Sequence, residues 1–160
     1  MSLSDAAPQG DRSKATWDLR DGDRPTIFVE LPDRRAVEAL RALFLGLALT
    51  GQSTAVGEQP GTELKGMTGL DLVLAKAPAA RSAVQRILDL FRFTEDPRKH
   101  LLRVDDSPKY RWTCTADEWR TSAELLEPFL EDRSGHQYLT DEEVDDALVE
   151  VSYHEVRNTT

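Results

Sequence analysis

The sequence predicts an α+β fold, with a mixed, largely antiparallel sheet and about three helices packed mainly on one face. Residues 109–114 and 147–154 alternate between apolar and polar side chains, which is the period of a half-buried strand. Between them, apolar residues at spacings of three and four run from Trp119 to Leu130 and predict an amphipathic helix. Because helices and strands also alternate earlier in the chain, we expect them to share one core.

The chain begins with polar residues and then a hairpin. Residues 1–13 contain Pro8 and Gly10 but no apolar leader, so we expect a disordered tail and no signal peptide. Two β-rich runs, 15–19 and 26–31, flank a turn sequence at 21–23, which is typical of a hairpin. Trp17 alternates with polar neighbours, so we expect it in the core.

A helix follows the hairpin. Asp33 is the expected N-cap, and Gly51 is the expected end. Apolar residues keep the helical period along its length, and residues 42–49 are apolar on all sides. We expect this end to be buried, with an oligomer face as the alternative.

Residues 51–69 predict a long loop, because they contain five glycines and one proline. The glycines are not spaced as in a phosphate-binding loop, and no Gly-Lys-Ser/Thr follows them. The loop leaves open a second kind of function, a small enzyme or ligand-binding domain with a pocket beneath residues 51–69.

The middle of the chain predicts strand, helix and strand. A buried strand at 70–75 precedes a helix that begins near Pro78, and a short strand follows at 100–104. This helix and the residues after it are basic, and with two nearby phenylalanines they could form a nucleic-acid face at Arg81, Arg86, Arg92, Arg98 and Lys99. The overall pI of about 4.8 argues against that use, so we expect a solvated helix face.

The last helix carries the strongest local signals. Thr115 is an expected N-cap, and Glu118 stands three residues later, as a capping box requires. Pro128 cannot donate to the carbonyl four residues back, so we expect the regular helix to end near Glu127 or to kink. Residues 158–160 look like a frayed tail, which leaves 14–157 as the expected single domain.

The charge is strongly asymmetric. The chain carries a net charge of −9, yet residues 115–160 alone hold 13 acidic and 3 basic residues, a net charge of −10. The first 114 residues therefore carry +1. Nucleic acid and anionic membranes are disfavoured as partners of the acidic segment, whereas a basic protein would be attracted to it.

The residues that support most enzyme chemistry are sparse. Cys114 is the single cysteine, so no internal disulfide can form, and a reducing, cytoplasmic location is expected. We expect Cys114 to be a buried structural residue rather than a nucleophile paired with His100, His136 or His154. The histidines lack metal-ligand spacing, and a site built from His136, His154 and the acids of 141–146 is disfavoured. We therefore expect no metal, no cofactor and no catalytic residue.

The sequence favours a non-enzymatic protein-binding module. Small acidic α+β domains of this type occur among bacterial immunity proteins and adaptors, an analogy that rests on no motif. An inhibitor of this type would dock its acidic C-terminal half on a basic protein such as a toxin or nuclease. The contacts we expect are acids in turns: Asp132, Asp141, Glu142, Glu143, Asp145 and Asp146. The alternatives are the ligand-binding domain described above and a subunit of a larger assembly.

Overall fold

The computed structural model describes residues 14–75, 100–141 and 143–154. These residues form nine strands: β1 (Ala15–Arg20), β2 (Thr26–Leu31), β3 (Thr54–Ala55), β4 (Thr62–Lys65), β5 (Gly69–Leu74), β6 (Leu101–Arg103), β7 (Lys109–Cys114), β8 (Gly135–Tyr138) and β9 (Leu148–Tyr153). The predicted tails at 1–13 and 158–160 lie outside the described residues.

The strands form two sheets. The first has the order β4-β1-β2-β9-β8, and the second has the order β3-β5-β7-β6. The predicted hairpin is confirmed, because Trp17 of β1 pairs with Val29 of β2 in an antiparallel ladder. The alternation predicted for the last strand is also confirmed, since Val149, Val151 and Tyr153 are buried. Period-two patterns of apolar residues therefore place one face of each long strand in the core.

The described helices are α1 (Arg34–Thr50), α2 (Ala116–Glu124) and the single turn α3 (Glu127–Leu130). Asp33 caps α1 by accepting a hydrogen bond from the N–H of Ala36 at 2.9 Å, and Gly51 ends it in a left-handed conformation. The predicted capping box of Thr115 at the start of α2 is confirmed. Within the residues that the structure describes, no helix is both long enough and apolar enough to cross a membrane.

Three parts of the predicted fold are corrected. The strands form two sheets rather than one. The mixed α+β character is confirmed, because parallel pairs join β1 to β4, β2 to β9 and β5 to β7 beside the antiparallel ones. The described residues contain two helices of more than one turn rather than about three, and the helix predicted near Pro78 lies outside them. Segment 51–69 is also not one continuous loop, because it contains β3, a 3₁₀ turn (Val56–Glu58) and β4. These short strands form because the long strands β1 and β5 offer them hydrogen-bonding edges.

An aromatic cluster lies where α1 and α2 meet the second sheet. Phe44 of α1 stacks on Trp119 of α2, with ring centroids 5.3 Å apart, and approaches Trp112 of β7 edge-on at 5.8 Å. All three side chains are fully buried. The Trp119 indole N–H donates to the carbonyl of Val73 at 3.2 Å, so its polar atom is satisfied inside the core. This cluster fixes the position of α2 relative to the end of β7.

Candidate functional site

One of the acids predicted to contact a partner is a structural residue instead. Asp145 is buried, with 4% of its surface exposed. Its Oδ1 accepts hydrogen bonds from the backbone N–H groups of His100 at 2.6 Å and Leu101 at 2.7 Å, and its Oδ2 accepts one from Asp141 at 3.0 Å. The prediction that the Asp145 side chain reaches into solvent is therefore wrong, because the carboxylate is occupied by three main-chain donors.

We call residues 140–147 the acidic loop. Asp145 holds the described residues of this loop, 140–141 and 143–147, against the start of β6. The N–H of Asp146 donates to the carbonyl of Leu101 at 3.0 Å, and Asp146 Oδ2 accepts from the N–H of Arg103 at 2.8 Å. Asp141 Oδ1 accepts from the N–H of Glu143 at 2.8 Å. The acidic loop is thus tied by hydrogen bonds at both of its ends.

The remaining predicted contacts do not all lie together. Asp141 and Glu143 are exposed on the acidic loop, and Asp146 is half-buried there. Glu142 lies outside the described residues. Asp132 lies at the opposite end of the β8–β9 ladder, where it accepts a hydrogen bond from the Tyr153 hydroxyl at 3.2 Å. The structure therefore brings some of these acids into one loop and separates Asp132 from them.

The charge asymmetry persists in the folded part of the chain. Residues 115–141 and 143–154 hold eleven acidic and two basic residues, a net charge of −9. The two basic residues in this segment, Arg120 and Arg133, form ion pairs with the nearby acids Asp117 and Glu131. The acidic loop itself contains no basic residue. The guanidinium of Arg24 donates to the carbonyl of Asp145 at 2.8 Å and offsets part of the negative potential of the loop.

A cavity of about 210 Å³ opens between the acidic loop and α2. Thr140 and Asp141 form one wall, while Cys114 and Glu118 form the other together with His100. The ligand atoms of His100, Cys114 and Glu118 all lie within 4.8 Å of one another. Of the three histidines considered beside Cys114, the structure thus selects His100, whereas neither His136 nor His154 lines this cavity.

Cys114 is buried, as expected, with 5% of its surface exposed. Burial raises the pKa of its thiol, and the negative charges of Glu118 and Asp145 raise it further. The thiol is therefore protonated at neutral pH, which argues against a role as a resting nucleophile.

Glu118 interacts with both Thr115 and His100. Its Oε2 accepts hydrogen bonds from the N–H and the hydroxyl of Thr115, at 2.7 and 2.9 Å, while its Oε1 lies 3.5 Å from His100 Nε2. Partial burial raises the pKa of Glu118, but the Thr115 hydrogen bonds and the charge of His100 lower it by more, so the net pKa is below its ordinary value. Sequence reasoning had given Glu118 a capping role alone.

A second cavity, of about 360 Å³, lies between α1 and residues 59–62. A pocket beneath segment 51–69 is therefore present, but its walls are mostly apolar and include neither cysteine nor histidine. Arg35 and Gln59 are polar groups in its lining, and Trp17 is part of its buried wall. The polar cluster that the enzyme hypothesis required has formed at the other cavity.

The apolar end of α1 is largely buried. Phe44, Leu47 and Ala48 belong to the core, and Leu49 alone among the large apolar residues of this end is exposed, at 79%. Burial of this kind is what the all-round apolar pattern predicted. A single exposed leucine gives an oligomer face little area.

Comparison with known proteins does not add to this geometry. A scan of the chain against protein-family models found no match, and neither did a search of curated proteins.

Proposed function

We propose that this protein is a protein-binding module that docks its acidic loop on a basic protein, in the manner of an inhibitor. The observation that carries the proposal is the acidic loop itself, whose exposed carboxylates Asp141 and Glu143 stand on a backbone fixed by buried Asp145. A loop that is ordered before binding loses less conformational entropy when a partner docks. Complementary charge would speed the encounter and favour basic partners over others.

The neighbouring first turn of α2 extends this negative surface. Asp117 is exposed but forms an ion pair with Arg120, so the added negative charge comes from Glu118, which lines the cavity of about 210 Å³ together with Asp141. Asp145 belongs to the scaffold of the surface, and Asp132 lies at the other end of the β8–β9 ladder from the acidic loop. The docking surface is therefore centred on the acidic loop rather than spread over all six acids expected from the sequence.

The proposal is tested by charge neutralisation on the full chain. Immobilised protein is exposed to native cell extract at low salt, and a partner released by a salt step is identified and its affinity measured. The double variant Asp141→Asn, Glu143→Gln should bind that partner roughly 2- to 30-fold more weakly, because exposed charge pairs contribute about 0.2–1 kcal/mol each. Asparagine at 141 keeps an oxygen for the N–H of Glu143, so the loop should retain its shape.

A matched control removes the same charge elsewhere. Glu58 and Glu63 are exposed near segment 51–69, and the double variant Glu58→Gln, Glu63→Gln has the same net charge as the test variant. It should bind like the wild type. Equal weakening in both variants, or an affinity that does not change with salt, would contradict docking through the acidic loop.

A second candidate function is the binding of a small amphipathic anion in the cavity of about 360 Å³. The observation that favours it is Trp17, whose buried indole N–H has no acceptor among the residues that the structure describes. Arg35 lines the same cavity and could pair with a carboxylate. The substitution Ala39→Phe would fill this space, so it should abolish thermal stabilisation by such ligands, and ligand stabilisation that survives it would exclude this cavity.

A further inference from the structure

Three side chains of metal-binding type meet at the wall of the cavity beside the acidic loop. His100 comes directly before β6, Cys114 ends β7, and Glu118 lies in the first turn of α2. Their ligand atoms lie within 4.8 Å of one another, and the structure shows no second group of three such residues in the ranges 14–75, 100–141 and 143–154. They come from three elements that pair or pack with each other, so the grouping is part of the fold.

The backbone around His100 is held in place on both sides. Its N–H donates to Asp145 Oδ1 at 2.6 Å, and its carbonyl accepts from the N–H of Thr113 at 2.8 Å. Its Nδ1 lies 3.2 Å from the carbonyl of Thr113, an atom that can only accept, so Nδ1 carries the proton. A backbone carbonyl on the far nitrogen is the usual arrangement of a metal-binding histidine, because it orients the ring and directs the Nε2 lone pair at the ion.

The Nε2 lone pair of His100 faces another acceptor. Glu118 Oε1 lies 3.5 Å away, and its partner oxygen is already engaged by the N–H and hydroxyl of Thr115. A metal ion placed between these two acceptors would bind both of them, and the adjacent thiol of Cys114 provides a third ligand atom.

The surroundings of Cys114 favour a thiolate once a cation arrives. Trp112 is fully buried on the same face of β7 as Cys114, and its indole N–H has no hydrogen-bond partner among the described residues. A thiolate is a much better acceptor than a thiol, so a metal-bound sulfur would satisfy an indole that is otherwise buried without a partner.

We propose that His100, Cys114 and Glu118 bind Zn²⁺, with a fourth position open to the cavity of about 210 Å³. Nitrogen, sulfur and oxygen ligands together suit zinc, whereas Mg²⁺ and Ca²⁺ prefer oxygen alone. Tetrahedral zinc with bonds of about 2.0–2.3 Å needs ligand atoms roughly 3.3–3.8 Å apart. The three ligand atoms therefore reach bonding distance of the ion when their side chains shift by on the order of 1 Å.

The charge of the site also suits a divalent cation. The thiolate and the Glu118 carboxylate would neutralise Zn²⁺, and buried Asp145 accepts a hydrogen bond from the N–H of the third ligand, His100, at 2.6 Å. Asp141 lines the same cavity and provides a further carboxylate near the open position. Four coordination with one open position allows water to occupy the fourth site. The inference concerns these residues alone and does not depend on the protein-binding proposal.

The test uses the full chain after treatment with a chelator, with Zn²⁺ and Co²⁺ as the probes. We expect one equivalent of Zn²⁺ to bind, and Co²⁺ to give the intense visible bands of a four-coordinate site together with a thiolate-to-cobalt charge-transfer band. The charge-transfer band should be absent in Cys114→Ser. Because binding removes the thiol proton, the apparent affinity should rise about tenfold for each unit of pH.

Matched variants assign the ligands. Loss of a residue that only supports a metal ligand typically weakens metal binding by about 10- to 100-fold. Loss of a ligand should cost more, so His100→Gln and Cys114→Ser should weaken Zn²⁺ binding by more than about 100-fold. Glu118→Gln keeps an oxygen and should weaken it by about 10- to 100-fold. Glutamine is accepted at the third helical position of a capping box, so Glu118→Gln keeps the helix start intact. The controls His136→Gln and Glu124→Gln should bind Zn²⁺ like the wild type.

Three results would overturn the proposal. The first is Zn²⁺ binding weaker than that of the free side chains, and the second is an affinity that His136→Gln lowers as much as His100→Gln does. The third is tight binding without the thiolate band, which would remove Cys114 from the site. If Cys114→Ser fails to fold, the partly exposed residues His100 and Glu118 still decide the question.

Discussion

The substitution Asp145→Ala tests whether one buried carboxylate holds the acidic loop. It removes three hydrogen bonds, from the N–H groups of His100, Leu101 and Asp141. Leu101 is fully buried, so leaving its N–H without an acceptor should lower the free energy of unfolding by about 1–3 kcal/mol. The other two donors lie in part-buried positions and regain some hydration, so we add about 1 kcal/mol for each. The expected loss in the free energy of unfolding is therefore about 3–5 kcal/mol.

Urea unfolding measures this loss. With a denaturant slope of about 2 kcal/mol per molar, the midpoint should fall by roughly 1.5–2.5 M. Asp145→Asn keeps an oxygen for His100 and Leu101 but turns an amide toward the N–H of Asp141, so its loss should be about half as large. The neighbouring control Asp146→Ala removes the hydrogen bond from the N–H of Arg103, an exposed residue, and should lose about 1 kcal/mol.

The difference in the free energy of unfolding between Asp145→Ala and Asp146→Ala decides the question. If Asp145→Ala and Asp146→Ala have the same free energy of unfolding within about 0.5 kcal/mol, the buried carboxylate does not hold the loop. The account of the acidic loop as a rigid surface would then be wrong, and the partner-binding proposal would lose its structural basis.

Four other substitutions test the cap of α2, the aromatic cluster and two titrating side chains. Thr115→Ala should lower the free energy of unfolding by about 0.5–2 kcal/mol in urea unfolding, because it removes the cap of α2. Phe44→Ala should lower it by about 3–5 kcal/mol in the same assay, since it opens a hole in the aromatic cluster. The folded-state pKa of Glu118 is below 4.5, so its contribution to stability is present above about pH 4.5 and is lost on acidification. The folded-state pKa of Cys114 is above 9.0, so its contribution is present below about pH 9.0 and is lost as the pH rises further. Stability measured against pH should therefore become less steep in acid for Glu118→Gln, and less steep in alkali for Cys114→Ala.

The parts of the fold that could be predicted are those with local signals. The capping box of Thr115 and Glu118 lies within four residues, and the alternation of Lys109–Cys114 lies within one strand. Neither depends on a distant partner. The short strands β3, β4 and β8 could not be predicted in this way, because they have too few residues for a periodic pattern and form by pairing with longer strands.

The glycines of segment 51–69 predict a loop, but one of them has a packing role. Gly66 has a φ of +69°, and a Cβ placed on it would lie 2.5 Å from the carbonyl oxygen of Leu19. The backbone after β4 therefore approaches the end of β1 more closely than any other residue would permit. Composition alone does not distinguish a glycine that allows close packing from one that allows flexibility.

The burial of Asp145 is indicated by the alternation of the residues that follow it. It continues the same period-two face as Ala147, Val149, Val151 and Tyr153, all of which are buried. A strict reading of that alternation would have placed this acid inside. Only part of the cluster around Cys114 can be predicted from the sequence. Glu118 follows Cys114 by four residues, whereas His100 is brought close by the pairing of Leu101 with Trp112.

The zinc site and the acidic loop share one scaffold, and this has an electrostatic consequence. Asp145 binds the N–H of His100 and the N–H of Asp141, so it joins the proposed metal ligands to the proposed docking surface. Zn²⁺ would place positive charge beside Asp141, which lines the same cavity, and so weaken the negative potential of the loop. Attraction to a basic partner should then be weaker in the zinc-bound protein. Because such coupling is reciprocal, the partner would lower the zinc affinity by the same factor. The two proposals are independent in origin, but if both hold, the metal acts as a negative regulator of docking.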